Sequence, residues 1–160
     1  MTPFTKELSL KLDEICISHD DNITNLLPIL QRAQELSEYN YISQDVASYI
    51  ASRLKVPFAS VASVISFYAS ISDKPRGKNI IQICKSTSCM INDYQSIKDI
   101  LERELEISVG ETTKDKAFSL EYTECIGACD ISPAIRINKD VFGQLTESKL
   151  RNLLDEYRRI

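Results

Sequence analysis

Apolar residues recur at helical spacing through the first half of the chain. Leu8, Leu12, Ile15 and Cys16 share one face of a helix predicted from Leu8 to about Ser18. After the polar break His19-Asp20-Asp21-Asn22, a second stripe runs through Ile23, Leu26, Leu27, Leu30 and Ala33, with Pro28 either in its first turn or at a kink. Ser43 is a good N-cap and Asp45 suits the first turn of a third helix, whose stripe is Val46, Ala47, Ile50, Ala51 and Leu54. Val56-Pro57-Phe58 ends it, and Val61, Val64, Ile65 and Tyr68 start a fourth face.

The period then changes. Ser72-Asp73-Lys74-Pro75-Arg76-Gly77-Lys78 combines a proline, a glycine and cations, and it reads as a solvated turn before the strand-like Asn79-Ile80-Ile81-Gln82-Ile83. Ile91, Tyr94, Ile97 and Leu101 predict one helix from Cys89 to about Leu105, and Ile107 to Ala117 predict a loop with Gly110 at its special backbone position. Phe118, Leu120 and Tyr122 alternate with Ser119, Glu121 and Thr123, the period of a half-buried strand. Ala134 to Ile137 turns through Asn138-Lys139-Asp140 into Val141-Phe142-Gly143, a hairpin signature. In the last helix Thr146 is the expected N-cap, Leu145 and Leu150 form a hydrophobic staple, and Leu150, Leu153, Leu154 and Tyr157 form the buried stripe. The expected class is α+β: an N-terminal helical bundle over residues 1–73, then a domain over 74–160 whose strand and helix order suits a thioredoxin-like layering.

Composition narrows the function. A net charge of −4 without a long basic run gives no electrostatic footprint for nucleic acid or for an anionic membrane. No apolar stretch approaches the roughly 20 residues that span a bilayer. Met1 to Glu7 lead into acid-bearing helical sequence and lack the apolar core of an export signal, so a reducing, cytoplasmic setting is expected, the periphery of a membrane complex included. The four glycines, Gly77, Gly110, Gly127 and Gly143, are too scattered to write G-x-G-x-x-G or a Walker A loop. A nucleotide, if one is used, belongs to another chain.

Four of the five cysteines fall in two short loops: Cys84 and Cys89 with four residues between them, and Cys125 and Cys129 with three. Thiols paired in this way in a reducing compartment suit a soft metal centre, and the reading is one 2Fe-2S cluster. Four thiolates on two ferric ions and two sulfides leave a formal charge of about −2, and about −3 after one electron. Backbone N–H groups and the hydroxyls of Ser86, Thr87 and Ser88 are candidate donors to sulfur, Lys85 is a candidate nearby cation, and Gly127 allows close backbone approach. Structural zinc and a thioredoxin-type dithiol are the competing sites, and each would normally show the C-x-x-C that is absent here. Cys16 reads as a small buried residue, and with His19 it supplies only two ligands, too few for a site. Glu124 and Asp130 read as solvated charges, and no nucleophile, base and orienter set is found.

Taken together, Lys74-Pro75-x-Gly77-Lys78-x-x-Ile81-Gln82-x-Cys84-x-x-x-x-Cys89-Met90, Val109-Gly110-Glu111-Thr112-Thr113 and Glu124-Cys125-Ile126-Gly127-Ala128-Cys129 resemble one family over nearly the whole chain, Leu27-Pro28-Ile29-Leu30 included. It is the small thioredoxin-like 2Fe-2S subunit that accompanies the FMN-bearing, NADH-reacting subunit of respiratory complex I. Similar subunits occur in electron-bifurcating and NAD-reducing hydrogenases and in NAD-dependent formate dehydrogenases. The resemblance implies that Cys84, Cys89, Cys125 and Cys129 ligate the cluster and that the N-terminal helices dock on the flavoprotein. FMN and NAD(H) would then lie in the partner, and this chain would pass single electrons without making or breaking substrate bonds. A freestanding 2Fe-2S ferredoxin or iron-sulfur sensor is the alternative. By analogy with thioredoxin-like folds, Pro133 is a candidate cis-proline facing the redox site.

Overall fold

The computed structural model describes residues 4–159; the first three residues and Ile160 lie outside it. The chain forms two compact units that meet in sequence between Pro75 and Arg76.

The first unit holds helices α1 (Lys6–Ser18), α2 (Leu26–Glu35), α3 (Gln44–Arg53) and α4 (Phe58–Phe67). Thr5 caps α1 through its side chain, and Ser43 caps α3 by accepting from the Val46 N–H at 3.3 Å. Pro28 occupies the first turn of α2, where its missing N–H removes no helical bond. Ile23 is not part of that helix. It sits in a separate 3-10 turn capped by Asn22 and is 48% exposed, so the second stripe starts at Leu26. Leu12, Cys16, Ile29, Leu30, Ile42, Ile50 and Val61 form the core of this unit. At its rim Arg53 makes paired 3.0 Å bonds to both carboxylate oxygens of Asp21, and the Tyr49 hydroxyl donates to Asp13.

In the second unit β1 (Asn79–Cys84) is followed by α5 (Thr87–Ile91), α6 (Tyr94–Leu105), β2 (Phe118–Thr123), β3 (Ile135–Ile137), β4 (Asp140–Phe142) and α7 (Glu147–Arg159). The sheet order is β2-β1-β3-β4, with β1 and β2 parallel and the other pairs antiparallel. Ile81, Ile83, Leu120 and Ile135 pack with Leu101 of α6 and Leu150, Leu153 and Leu154 of α7. Thr146 caps α7 as its sequence indicates, accepting from the Lys149 N–H. The Ser132–Pro133 bond is cis.

Two sequence expectations change here. The single helix after Cys89 is two, because Asp93 takes a left-handed conformation (φ 60°) that no α-helix continues through. Ile91 consequently leaves the buried stripe and is 79% exposed. Ser119, placed on the polar side of a half-buried strand, is only 2% exposed: its Oγ accepts from the Gly77 N–H at 2.7 Å and bonds Thr112 Oγ1 at 2.6 Å. The basic turn is likewise pinned down, with Arg76 paired to Glu121 at 2.9 Å. No helix among the described residues is long and apolar enough to cross a membrane.

Gly77 runs so close to β2 that a Cβ there would lie 2.4 Å from the Phe118 carbonyl carbon, a backbone atom that cannot step aside. Gly77→Ala should cost about 1–3 kcal/mol or more and lower the thermal midpoint more than Gly110→Ala, whose Cβ meets nothing and whose burden is its φ of +97° alone. At the other end of the chain, burial and then a 2.7 Å bond donated to Asp140 push the Tyr157 phenol up to about 12 from its ordinary 10.0. A raised folded value means the neutral form is the one favoured by folding. That stabilisation is complete below about pH 10 and is lost as pH rises through about 12. Alkaline titration of phenolate absorbance should show a late component that Tyr157→Phe removes, along with part of the alkaline loss of stability.

Candidate metal centre

Parallel pairing brings the two cysteine loops together. In the β1–β2 register Cys84 lies opposite Thr123, so both strands end at the same edge of the sheet and each feeds one loop from that edge. The first loop turns at once into α5, which carries Cys89 in its middle. The second runs through Glu124 to Ala128, passes a 3-10 turn from Cys129 to Ile131, and returns through Pro133 to β3. Cys84, Cys89 and Ala134 form a small buried cluster, against which Ile126 and Ala128 of the second loop pack.

All five cysteines are free thiols. Cys84 and Cys89 are buried, while Cys125 and Cys129 are exposed with their sulfurs 3.6 Å apart. Donors surround them. Burial alone would raise the Cys84 thiol, but bonds from the Ser86 N–H, the Cys89 thiol, the Ile126 N–H and the Ser86 hydroxyl outweigh it and the net shift is downward. Burial pushes Cys89 up, the Ala134 N–H offsetting part of this and Cys84 adding to it. Cys129 is raised by its hydrogen bond and charge interaction with Cys125, and the Ser88 hydroxyl works against that. The Gly127 N–H donates to Cys125 Sγ at 3.4 Å, and Gly127 itself has a φ of +79°.

This donor set fits a 2Fe-2S cluster. Among the described residues no three His, Cys, Asp or Glu side chains gather in an arrangement that would hold a metal ion on their own. The thiols instead come in twos. The two thiol pairs, Cys84 with Cys89 and Cys125 with Cys129, would supply the four sulfur ligands of a 2Fe-2S cluster. N–H and O–H groups around the sulfurs would offset the negative charge of such a cluster.

The model of the thioredoxin-like 2Fe-2S ferredoxin family matches residues 12–158. The chain belongs to that family. Its cofactor is accordingly one 2Fe-2S cluster. Among relatives of this ferredoxin family member, a subunit of the NADH-quinone oxidoreductase of Buchnera aphidicola is 37% identical over 134 residues, covering 84% of this chain and 77% of the relative. The HndA subunit of the NADP-reducing hydrogenase of Solidesulfovibrio fructosivorans is 30% identical over 133 residues, covering 83% and 77%. The fold also matches a solved NAD+-reducing NiFe-hydrogenase in its air-oxidised state, with a TM-score of 0.73 over 84% of this chain at 20% identity. This chain spans only 23% of the length of that hydrogenase chain.

Several polar groups at the site gave no signal in the sequence. The N–H groups of Ile126 and Ala134 reach sulfur through backbone geometry, which side-chain patterns do not encode. Ser132 and Asn92, which bond each other at 2.8 Å beside the loops, lie outside both cysteine motifs. Lys85 extends over the Tyr122 ring at 5.3 Å to its centroid. Cys16 and His19 belong to the helical unit, Cys16 fully buried and His19 bonded through Nδ1 to the Ile15 carbonyl at 2.8 Å.

Replacing any one of Cys84, Cys89, Cys125 or Cys129 by Ser should cut bound iron and acid-labile sulfide severely. Cys16→Ser should leave both at wild-type levels while lowering thermal stability, because it puts a hydroxyl into an apolar core.

Proposed function

We propose that the chain is the one-electron relay of an NAD(H)-dependent oxidoreductase complex, with Cys84, Cys89, Cys125 and Cys129 as the cluster ligands. The observation that carries this reading is the convergence of two thiol pairs at one sheet edge, ringed by N–H and O–H donors. The cluster, when bound, supplies storage for a single electron. The protein's own groups hold the sulfurs, shield the inner pair from water and offset charge. The chain makes and breaks no substrate bonds itself.

The relatives named as NADH-quinone oxidoreductase and NADP-reducing hydrogenase subunits support a place in such a complex. Under this proposal an FMN-bearing, NADH-reacting subunit is the immediate partner, and it holds the nucleotide and the flavin. The N-terminal helical unit supplies the docking surface. Leu10, Ile17, Phe58 and Phe67 are exposed on its helices and are candidates for that surface. The complex works in the cytoplasm, where the reducing poise keeps thiols available to iron.

Anaerobic purification of the natively expressed chain tests the proposal. The expected result is two irons and two sulfides per chain, a spin-one-half EPR signal after dithionite that Cys125→Ser abolishes, and a copurifying FMN protein that reduces the cluster on addition of NADH. A monomer carrying the cluster with no flavoprotein partner would favour a freestanding ferredoxin or sensor. A colourless chain with one zinc would overturn the cluster assignment.

A further inference from the structure

Two of the five thiols stand apart from the rest in access and in spacing. Cys125 and Cys129 are exposed, and their sulfurs lie 3.6 Å apart. A disulfide needs about 2.04 Å between sulfurs, so the two have only a short approach to make. The loop between them leaves room for it: Gly127 has a φ of +79°, and a Cβ built there would meet no atom within 4 Å. The other three thiols are closed to a dissolved oxidant. Cys84 and Cys89 are 1% and 2% exposed in a cluster with Ala134, and Cys16 is fully buried in the helical core.

We propose that Cys125 and Cys129 form a reversible disulfide when the chain carries no cluster, which makes the outer loop a thiol-modification site that gates iron uptake. The oxidant is a small disulfide of the glutathione class. A thiolate of the pair attacks one of its sulfurs, that S–S bond breaks, and one small thiol leaves with the bonding electron pair and a proton. The second thiolate of the pair then attacks the protein sulfur of the mixed disulfide, and the other small thiol leaves. Two protein thiols have then lost two electrons and two protons, and the small disulfide has gained them. Proximity drives the second step, because the resolving thiol already lies beside its target. The gating rests on the reading of both residues as ligands: the disulfide withholds two of the four thiolates from iron, and a dithiol reductant restores them. The same sulfurs, once committed to iron, are no longer open to exchange.

The test uses the full-length chain, isolated anaerobically, both loaded with iron and sulfide and after a chelator has removed the iron. Each form is exposed to glutathione disulfide, unfolded, alkylated, digested with trypsin and weighed. The sequence separates the two pairs, since Cys125 and Cys129 share the peptide 117–136 while Lys85 divides Cys84 from Cys89. In the iron-free chain the 117–136 peptide should lose two hydrogens and escape alkylation, about tenfold faster than either inner thiol is oxidised. The loaded chain should keep all four thiols reduced. Until dithiothreitol is added, the oxidised chain should take up about tenfold less iron and sulfide than the reduced one. Cys125→Ser should stop at a glutathione adduct on Cys129, because the resolving thiol is gone. A first disulfide that joins the peptides of Cys84 and Cys89, a lasting glutathione adduct on the wild-type outer pair, or outer thiols that stay reduced would overturn the proposal. A 117–136 disulfide with undiminished iron uptake would overturn the gate and the outer ligands together. A reduced chain that takes up neither iron nor sulfide would overturn the ligand reading and the gate with it, while the peptide masses still decide whether the disulfide forms.

Discussion

The parallel pairing of β1 with β2 is the constraint on which the rest of the site depends. Parallel strands require a long crossover, and here α5, α6 and the loop to Ala117 provide it. That crossover resets the direction of the chain, so that Cys84 and Thr123 finish side by side. An antiparallel pair would have sent the two cysteine loops to opposite edges. Burial of Ile81, Ile83, Phe118 and Leu120 fixes the register, since a slip of one residue would turn these side chains out of the core. The hydrophobic pattern of two short strands therefore determines that the two cysteine loops leave the sheet at one edge.

Around this frame, burial divides the site in two. The inner thiols sit under Ala134 and Ile126 and take N–H bonds from rigid backbone, whereas the outer ones rely on a short glycine-bearing loop and on hydroxyls. Fixed backbone dipoles need no reorganisation when charge arrives, so they answer a change of one electron at little cost. Side-chain hydroxyls can rotate, and they need partners of their own to stay aimed. Ser88 lies 3.3 Å from Ser132, which in turn accepts from Asn92 at 2.8 Å.

Much of this was legible in the sequence. The helices of the first unit, the Ser43 and Thr146 caps, and the hairpin of β3 and β4 all follow from periodicity and end signals that local physics dictates. The cysteine spacing and the family resemblance together led to the cofactor. What escaped depended on contacts distant in sequence or on unusual backbone. Asp93 breaks a helix without glycine or proline to announce it. Ser119 looked like a surface residue because its partners, Gly77 and Thr112, come from segments that only the fold brings near. Lys85 had an aromatic neighbour on β2 that the order of residues does not reveal.

The opposite end of the sheet carries a polar clasp. Asn79, at the start of β1, donates to the Tyr157 carbonyl of α7 and accepts from Asn138, whose own side chain accepts from the Ile80 N–H. A six-residue strand separates Asn79 from Cys84, roughly 17 Å at strand rise. Changes that far apart, with no shared partners, act nearly additively on stability. Substitutions in the cysteine loops therefore act on stability almost independently of the clasp, which holds the sheet and its last helix together at the other end.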